Sequence, residues 1–204
     1  MIFKFKVSKL IENQLDEVFK WHIKLPESDH AEVTDFLSLV SKQHFFNFEL
    51  WHQEDMARDS DAPDSKIAAV KRTIDVLNQQ RNDLIEQIDQ YLLNILQKKN
   101  VQYVKDADMN SETPGSIIDR LSINALKIYH MEEETQRTDV NNDHLKKCSV
   151  KVSVLYDQRN DLKKSLDKLL YDLSIGEKRL KVYKQMKMYN DENLNPVLYQ
   201  KKRN

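Results

Sequence analysis

A chain of 204 residues, 40% apolar and 32% charged, is long enough to bury one sizeable core, and a single domain over 1–204 is expected. Two glycines and four prolines are too few to punctuate an all-β protein, and one cysteine leaves neither an internal disulfide framework nor a Cys-based zinc site. A net charge of -1 with no basic recognition helix argues against a DNA-binding protein.

The start MIFKFKVSKLIENQ interrupts its apolar residues with Lys4, Lys6 and Lys9, so it lacks the apolar run of a secretory signal. No window approaches membrane-spanning length, and a soluble cytoplasmic protein is expected. Apolar spacing then predicts a helix over about 8–23, carrying Leu10, Ile11, Leu15, Val18 and Phe19 and broken at Leu25-Pro26. A second helical stretch runs over 29–60, from an acidic start at Asp29 and Glu32 through Phe36, Leu39, Val40, Phe45 and Phe48. The segment 60–65 is a tight connection with Asp64 or Ser65 as a helix cap, followed by a long helix over 65–98.

Residues 99–114 form a loop and the most plausible internal boundary. Helices are predicted over 116–137 and 142–175, with Gly176 kinking or ending the last. A basic helical segment to about 190 follows, and Asn195-Pro196 marks an irregular tail. Residues 177–204 hold 8 bases against 3 acids, whereas 1–64 hold 13 acids against 7 bases. Because the tail interleaves its lysines with Leu180, Val182, Tyr183, Met186 and Tyr189, it reads as a solvated helix face and not as a cluster for an anionic surface.

Sliding the chain on itself by 78 residues aligns VLNQQRNDLIEQIDQYL with VLYDQRNDLKKSLDKLL. Upstream, without a gap, Trp51-His52-Gln53-Glu54-Asp55 falls on Tyr129-His130-Met131-Glu132-Glu133. The expected architecture is an all-α bundle whose four-helix core consists of two repeated hairpins (about 29–98 and 115–175) related by a pseudo-two-fold, with helical additions at both termini.

Arg81 and Arg159 fall at the centres of the apolar stripes of the two longer helices. A guanidinium is not neutralised at ordinary pH, so an inward arginine requires a carboxylate, carbonyls or a bound anion. His52 with Asp55, and His130 with Glu133, continue the stripes of the shorter helices, and Glu54 and Glu132 lie beside them. If each hairpin folds back near its turn, Arg81 lies roughly 13 Å past its own copy's histidine at 1.5 Å per residue. Cross-copy pairing is therefore expected, Arg81 with His130 and Glu133, Arg159 with His52 and Asp55.

One reading makes this convergence a site for a phosphate-bearing ligand. His52 and His130 would be general acid/base groups and Asp55 and Glu133 their orienting partners; Arg81, Arg159, Glu54, Glu132, Asp83 and Asp161 would be ligand-binding. The alternative is a salt-bridge network that only fixes helix register in a scaffold or interaction protein. A second alternative is a metal-dependent hydrolase, since His-x-x-Asp and His-x-x-Glu each place two donors on one face. Glu27 and His30 match the Glu-x-x-His motif of di-iron bundles at a helix start, and arginines beside a metal count against it. His22, His30, His44 and His144 read as ordinary surface or core histidines, Trp51 and Tyr129 as packing residues. The residues name no cofactor.

The segments NFELWHQEDMAR, VKRTIDVLNQQRNDLIEQID, ETPGSIIDRLSINALKIYHMEEE and KMYNDENLNPVLY resemble a bacterial family, common in Bacteroidetes, called domain of unknown function 4254. The resemblance covers about residues 40 to 200. It implies no activity and no site residues. Its genes often lie near glycosyltransferases of cell-envelope saccharide clusters, which by association implies a phosphate-bearing sugar ligand or a glycosyltransferase partner.

Overall fold

A computed structural model describes residues 2–26, 33–184 and 191–200 of the chain. It is an all-α bundle, in chain order α1 (Val7–Ile23), α2 (Phe36–Met56), α3 (Asp64–Lys98), β1 (Asp108–Met109), α4 (Pro114–Thr135), α5 (Asn142–Ser174), β2 (Lys178–Arg179) and α6 (Pro196–Gln200).

Local chemistry sets the helix starts. The Asp35 side chain accepts from the Ser38 amide while the Ser38 hydroxyl accepts from the Asp35 amide, a reciprocal cap that opens α2. Its start at Phe36 is later than the acidic start expected at Asp29 and Glu32, and residues 27–32, with Glu27 and His30, lie outside the described residues. Thr113 caps α4 with Pro114 in its first turn, and Asn141 caps α5 through the His144 amide. The starts of α2 and α4 (114 - 36) and of α3 and α5 (142 - 64) are each 78 residues apart, the shift that aligns the sequence with itself.

The two hairpins are α2 with α3 and α4 with α5, and α4 occupies the middle, packed on α1, α2, α3 and α5. The main core joins Leu84, Ile88, Leu92 and Leu96 of α3 with Ile117, Ile118 and Leu121 of α4 and Leu166, Leu170 and Leu173 of α5. The amino-terminal helix is more than peripheral. Val7, Leu10 and Ile11 enter that core, and Val18 joins Phe48, Ala125 and Leu126 in a second cluster. Burying four such side chains gives α1 a strong hydrophobic reason to dock against α2, α4 and α5.

The basic helix expected after Gly176 does not form over the described part of that segment. Gly176 takes φ +76°, a left-handed conformation that ends α5. A Cβ there would lie 2.0 Å from the Gln102 carbonyl oxygen, so the loop after α3 runs directly against it. Lys178–Arg179 then pairs in parallel with Asp108–Met109, Leu180 turns into the core, and 181–184 is irregular. Met186 and Tyr189 lie outside the described residues. Near the end, Pro196–Gln200 makes a short helix where an irregular tail is expected, capped by the Asn195 side chain on the Val197 amide.

Candidate metal centre

Arg81 is half-buried, and its partner is Asp119 on α4 of the opposite hairpin. Nε donates to Oδ1 at 2.8 Å and Nη2 to Oδ2 at 2.7 Å, a bidentate pair. Asp119 also accepts from Gln43 at 2.6 Å and Asn47 at 2.9 Å. Asn47 in turn donates to the Ser122 hydroxyl, which contacts His44 Nδ1, while His44 Nε2 meets the Gln14 carbonyl. His44 is fully enclosed, and burial pushes its pKa down to about 4, so the ring is neutral.

The pairing expected of Arg81 with His130 and Glu133 is thus replaced by a different cross-hairpin partner. Asp119 is the deeper carboxylate, and the bidentate arginine compensates its burial. The expected pairing of Arg159 with His52 and Asp55 also fails to form: Nη2 of Arg159 donates to the Ile11 carbonyl of α1 at 3.0 Å. The residue equivalent to Asp119 in the first hairpin is Ser41 (119 - 78), which bonds Glu17, so Arg159 meets no matching carboxylate. Desolvation by burial lowers the pKa of Arg159. Glu132 accepts from Tyr156, and Glu54 pairs with Arg58. Asp83 bonds Gln79 on its own helix, and exposed Asp161 faces Lys164, so neither joins the histidines.

His52 and His130 do come together, joined by His22 from the end of α1. One ring nitrogen from each of the three lies within 4.8 Å of the other two. The rest of each ring is tethered. His22 Nδ1 is 2.7 Å from the Val18 carbonyl, His52 Nδ1 is 2.8 Å from the Phe48 carbonyl, and His130 Nδ1 is 2.9 Å from a Glu133 carboxylate oxygen. A carbonyl or carboxylate oxygen can only accept, so each Nδ1 carries a proton, and in the neutral ring Nε2 is the nitrogen with the lone pair. The Nε2 atoms of His22 and His130 are buried and have no hydrogen-bond partner. Burial is the larger influence on His130 and pulls its pKa down, favouring the neutral ring, while Glu133 acts in the opposite direction.

Aromatic side chains hold the rings in place: Tyr129 stacks on His22 at 4.1 Å and Trp51 on His130 at 4.9 Å. Beside His130 opens a cleft of about 600 Å³, lined among others by Trp51, Asp55, Lys127, Glu133 and Lys151. Trp51 and Asp55 also border a second cleft, of about 320 Å³, that contains Glu54, Arg58 and Arg81. The expected site is therefore divided: its histidines form one centre, its arginines are committed elsewhere, and Asp55 stands between.

Reading His22 as an ordinary histidine missed the third member. The signal was present, because Trp21-His22 is a third aromatic-His dipeptide beside Trp51-His52 and Tyr129-His130, but it lies outside the 78-residue match. Asp119 was legible too. It continues the stripe of Ile123, Leu126 and His130 one turn back.

A family model described as "Protein of unknown function (DUF4254)" matches residues 37–182. No curated protein and no solved structure matches. Among the described residues, no helix is long and apolar enough to cross a membrane.

Proposed function

Since the chain belongs to the DUF4254 family, whose description assigns no reaction, we propose from the geometry that it is a metal-dependent hydrolase acting on a phosphate-bearing substrate. The observation that carries this reading is the convergence of three imidazoles, two of which, His22 and His130, bury an Nε2 without a hydrogen-bond partner. Neutral imidazole suits zinc and its neighbours in the first transition row, and three protein ligands leave a coordination position for substrate or water. The tethers at Val18, Phe48 and Glu133 are the outer contacts that fix tautomer and ring direction in such centres.

The bound cation would supply Lewis acidity, and the chain's own residues the rest. Asp55, exposed on the wall shared by both clefts, is placed to take a proton from an attacking water. Lys127 and Lys151 provide positive charge for a phosphate in the larger cleft. Against Asp55, Glu133 and Glu134 those two lysines leave that cleft at a formal -1 (2 - 3), which a divalent ion would turn to +1. A substrate anion thus gains from the metal twice, by coordination and by field. The internal match at 78 residues supports an origin of the two hairpins by duplication, with the first and second copies each keeping one histidine ligand.

A scaffold reading has its own support, because stacked rings such as Trp51 on His130 also pack a helix junction. Calorimetric zinc titration of the chelator-treated protein separates the two. The hydrolase reading expects tight uptake at the three histidines, this equivalent being lost in His22→Phe and His52→Phe and held about 10–100-fold more weakly in Glu133→Ala. It also expects phosphoester hydrolysis that Asp55→Asn removes without removing the metal. Wild-type protein that takes up no zinc, with the Phe variants at least as stable as wild type, would leave the scaffold.

A further inference from the structure

Glu134, on the wall of the larger cleft, belongs to a second group of donors that the three-histidine centre does not use. Glu134, from the last turn of α4, and His144 and Cys148, one turn apart on α5, place one donor atom each within 4.8 Å of one another. His144 Nε2 is 2.9 Å from Glu134 Oε2 and 3.4 Å from Cys148 Sγ. Cys148 is buried, while His144 and Glu134 keep partial access to solvent.

The geometry excludes a nucleophile relay. Such a relay needs the base to meet the thiol with one nitrogen and the acid with the other, so that a proton taken from sulfur leaves the second nitrogen free to be oriented. Here one nitrogen faces both groups. If Nε2 carries a proton, two acceptors in different directions compete for it; if it is a lone pair, it points at a carboxylate oxygen 2.9 Å away. A cation with several coordination directions satisfies nitrogen, sulfur and oxygen together.

We propose that Glu134, His144 and Cys148 form a second divalent-metal site, selective for a thiophilic ion such as zinc over magnesium or calcium. A single cysteine rules out a site made of cysteines; it does not rule out one thiolate in a mixed set. The i, i+4 spacing of His144 and Cys148 presents both donors on one face of α5, and α4 contributes the carboxylate. Arg137 donates to Glu134 at 3.1 Å and to Asp139 at 2.7 Å, which leaves Glu134 ionised and orients it from outside the coordination sphere. Metal entry displaces the thiol proton, and the proton goes to solvent. Glu133 and Glu134 are consecutive, one orienting His130 and the other ligating, and His130 and Glu134 line the same cleft.

Cobalt(II) titration of the chelator-treated full chain tests the site, because thiolate ligation alone produces a sulfur-to-cobalt charge-transfer band in the near ultraviolet. Wild-type protein is expected to take two equivalents and to show the band. Cys148→Ser, close in shape, is expected to lose the band and one equivalent while keeping the visible bands of the histidine centre. His144→Gln should lose the band likewise. In His22→Phe/His52→Phe the band should persist with one equivalent, and this result would stand even if the three-histidine centre failed to bind. A saturated wild-type protein without the band, or a band unchanged in Cys148→Ser, overturns the proposal.

Discussion

Replacing Asp119 by alanine tests the account of the polar core most directly. Its carboxylate accepts four hydrogen bonds, at 2.6 Å from Gln43, 2.9 Å from Asn47, and 2.8 and 2.7 Å from Arg81. Bonds to a charged acceptor contribute about 1.5–3 kcal/mol each, but they are not additive. The Arg81 side chain, 24% exposed, recovers part of its hydration when the acid is lost, whereas Gln43 and Asn47 are buried and do not. Removing one partner of a largely buried pair costs about 3–5 kcal/mol. We expect about 4 kcal/mol by urea denaturation, or about 8–16 °C in Tm for a chain of this size. Arg81→Met should cost a similar amount by stranding the carboxylate. The double variant Asp119→Leu/Arg81→Met should return to within about 1 kcal/mol of wild type, because an apolar pair needs no compensation. An Asp119→Ala cost below about 1 kcal/mol, or a double variant as unstable as the two singles summed, would refute the reasoning.

Two further outcomes follow from close packing and from titration. A Cβ on Gly115 would lie 2.7 Å from the Ile85 carbonyl oxygen and 2.9 Å from Asp89 Oδ1, so Gly115→Ala should cost about 1–3 kcal/mol, and an unchanged urea midpoint would contradict the contact. His44 has a folded pKa of about 4 against an ordinary 6.5, a depressed value. Below 6.5 the unfolded chain takes up a proton that the folded chain refuses, so its contribution is complete above that pH and is lost as pH falls toward about 4. The full amount is about 3 kcal/mol. Paired urea titrations should therefore show His44→Asn losing less stability than wild type across that window; parallel curves would contradict it.

Helices were legible because apolar periodicity runs along them, although the cap expected at Asp64 or Ser65 does not form: α3 starts at Asp64 after Pro63 without a side-chain cap. Asp35, Thr113 and Asn141 each stand before an apolar stripe, and the α3 to α5 match carries the two longest helices. The part of the chain after Gly176 was not, since its apolar residues fit a helix pattern while their burial depends on a loop 70 residues earlier, at Met109. Lateral partners were harder still. Arg81 was correctly placed to look across the hairpins, but which carboxylate meets it depends on axial stagger, and Glu133 and Asp119 stand 14 residues (133 - 119), about four turns, apart on α4. Arg159 shows the limit of reasoning by repeat, for the symmetric position holds Ser41 and an unrepeated helix supplies the carbonyl. The same blindness hid His22: a comparison of the copies cannot find a residue that has no copy.

That third imidazole comes from outside the two hairpins, so under the proposed metal binding the amino-terminal helix would be a thermodynamic participant in retaining the ion. Whatever the His22 nitrogen adds to holding a cation must, by reciprocity, equally hold α1 against its neighbours. A cation seated among the three rings would act as a rivet between the first helix and the paired helices behind it. Trimming the chain to begin at Phe36 would then loosen the ion, and stripping the ion would loosen the helix, by the same free energy.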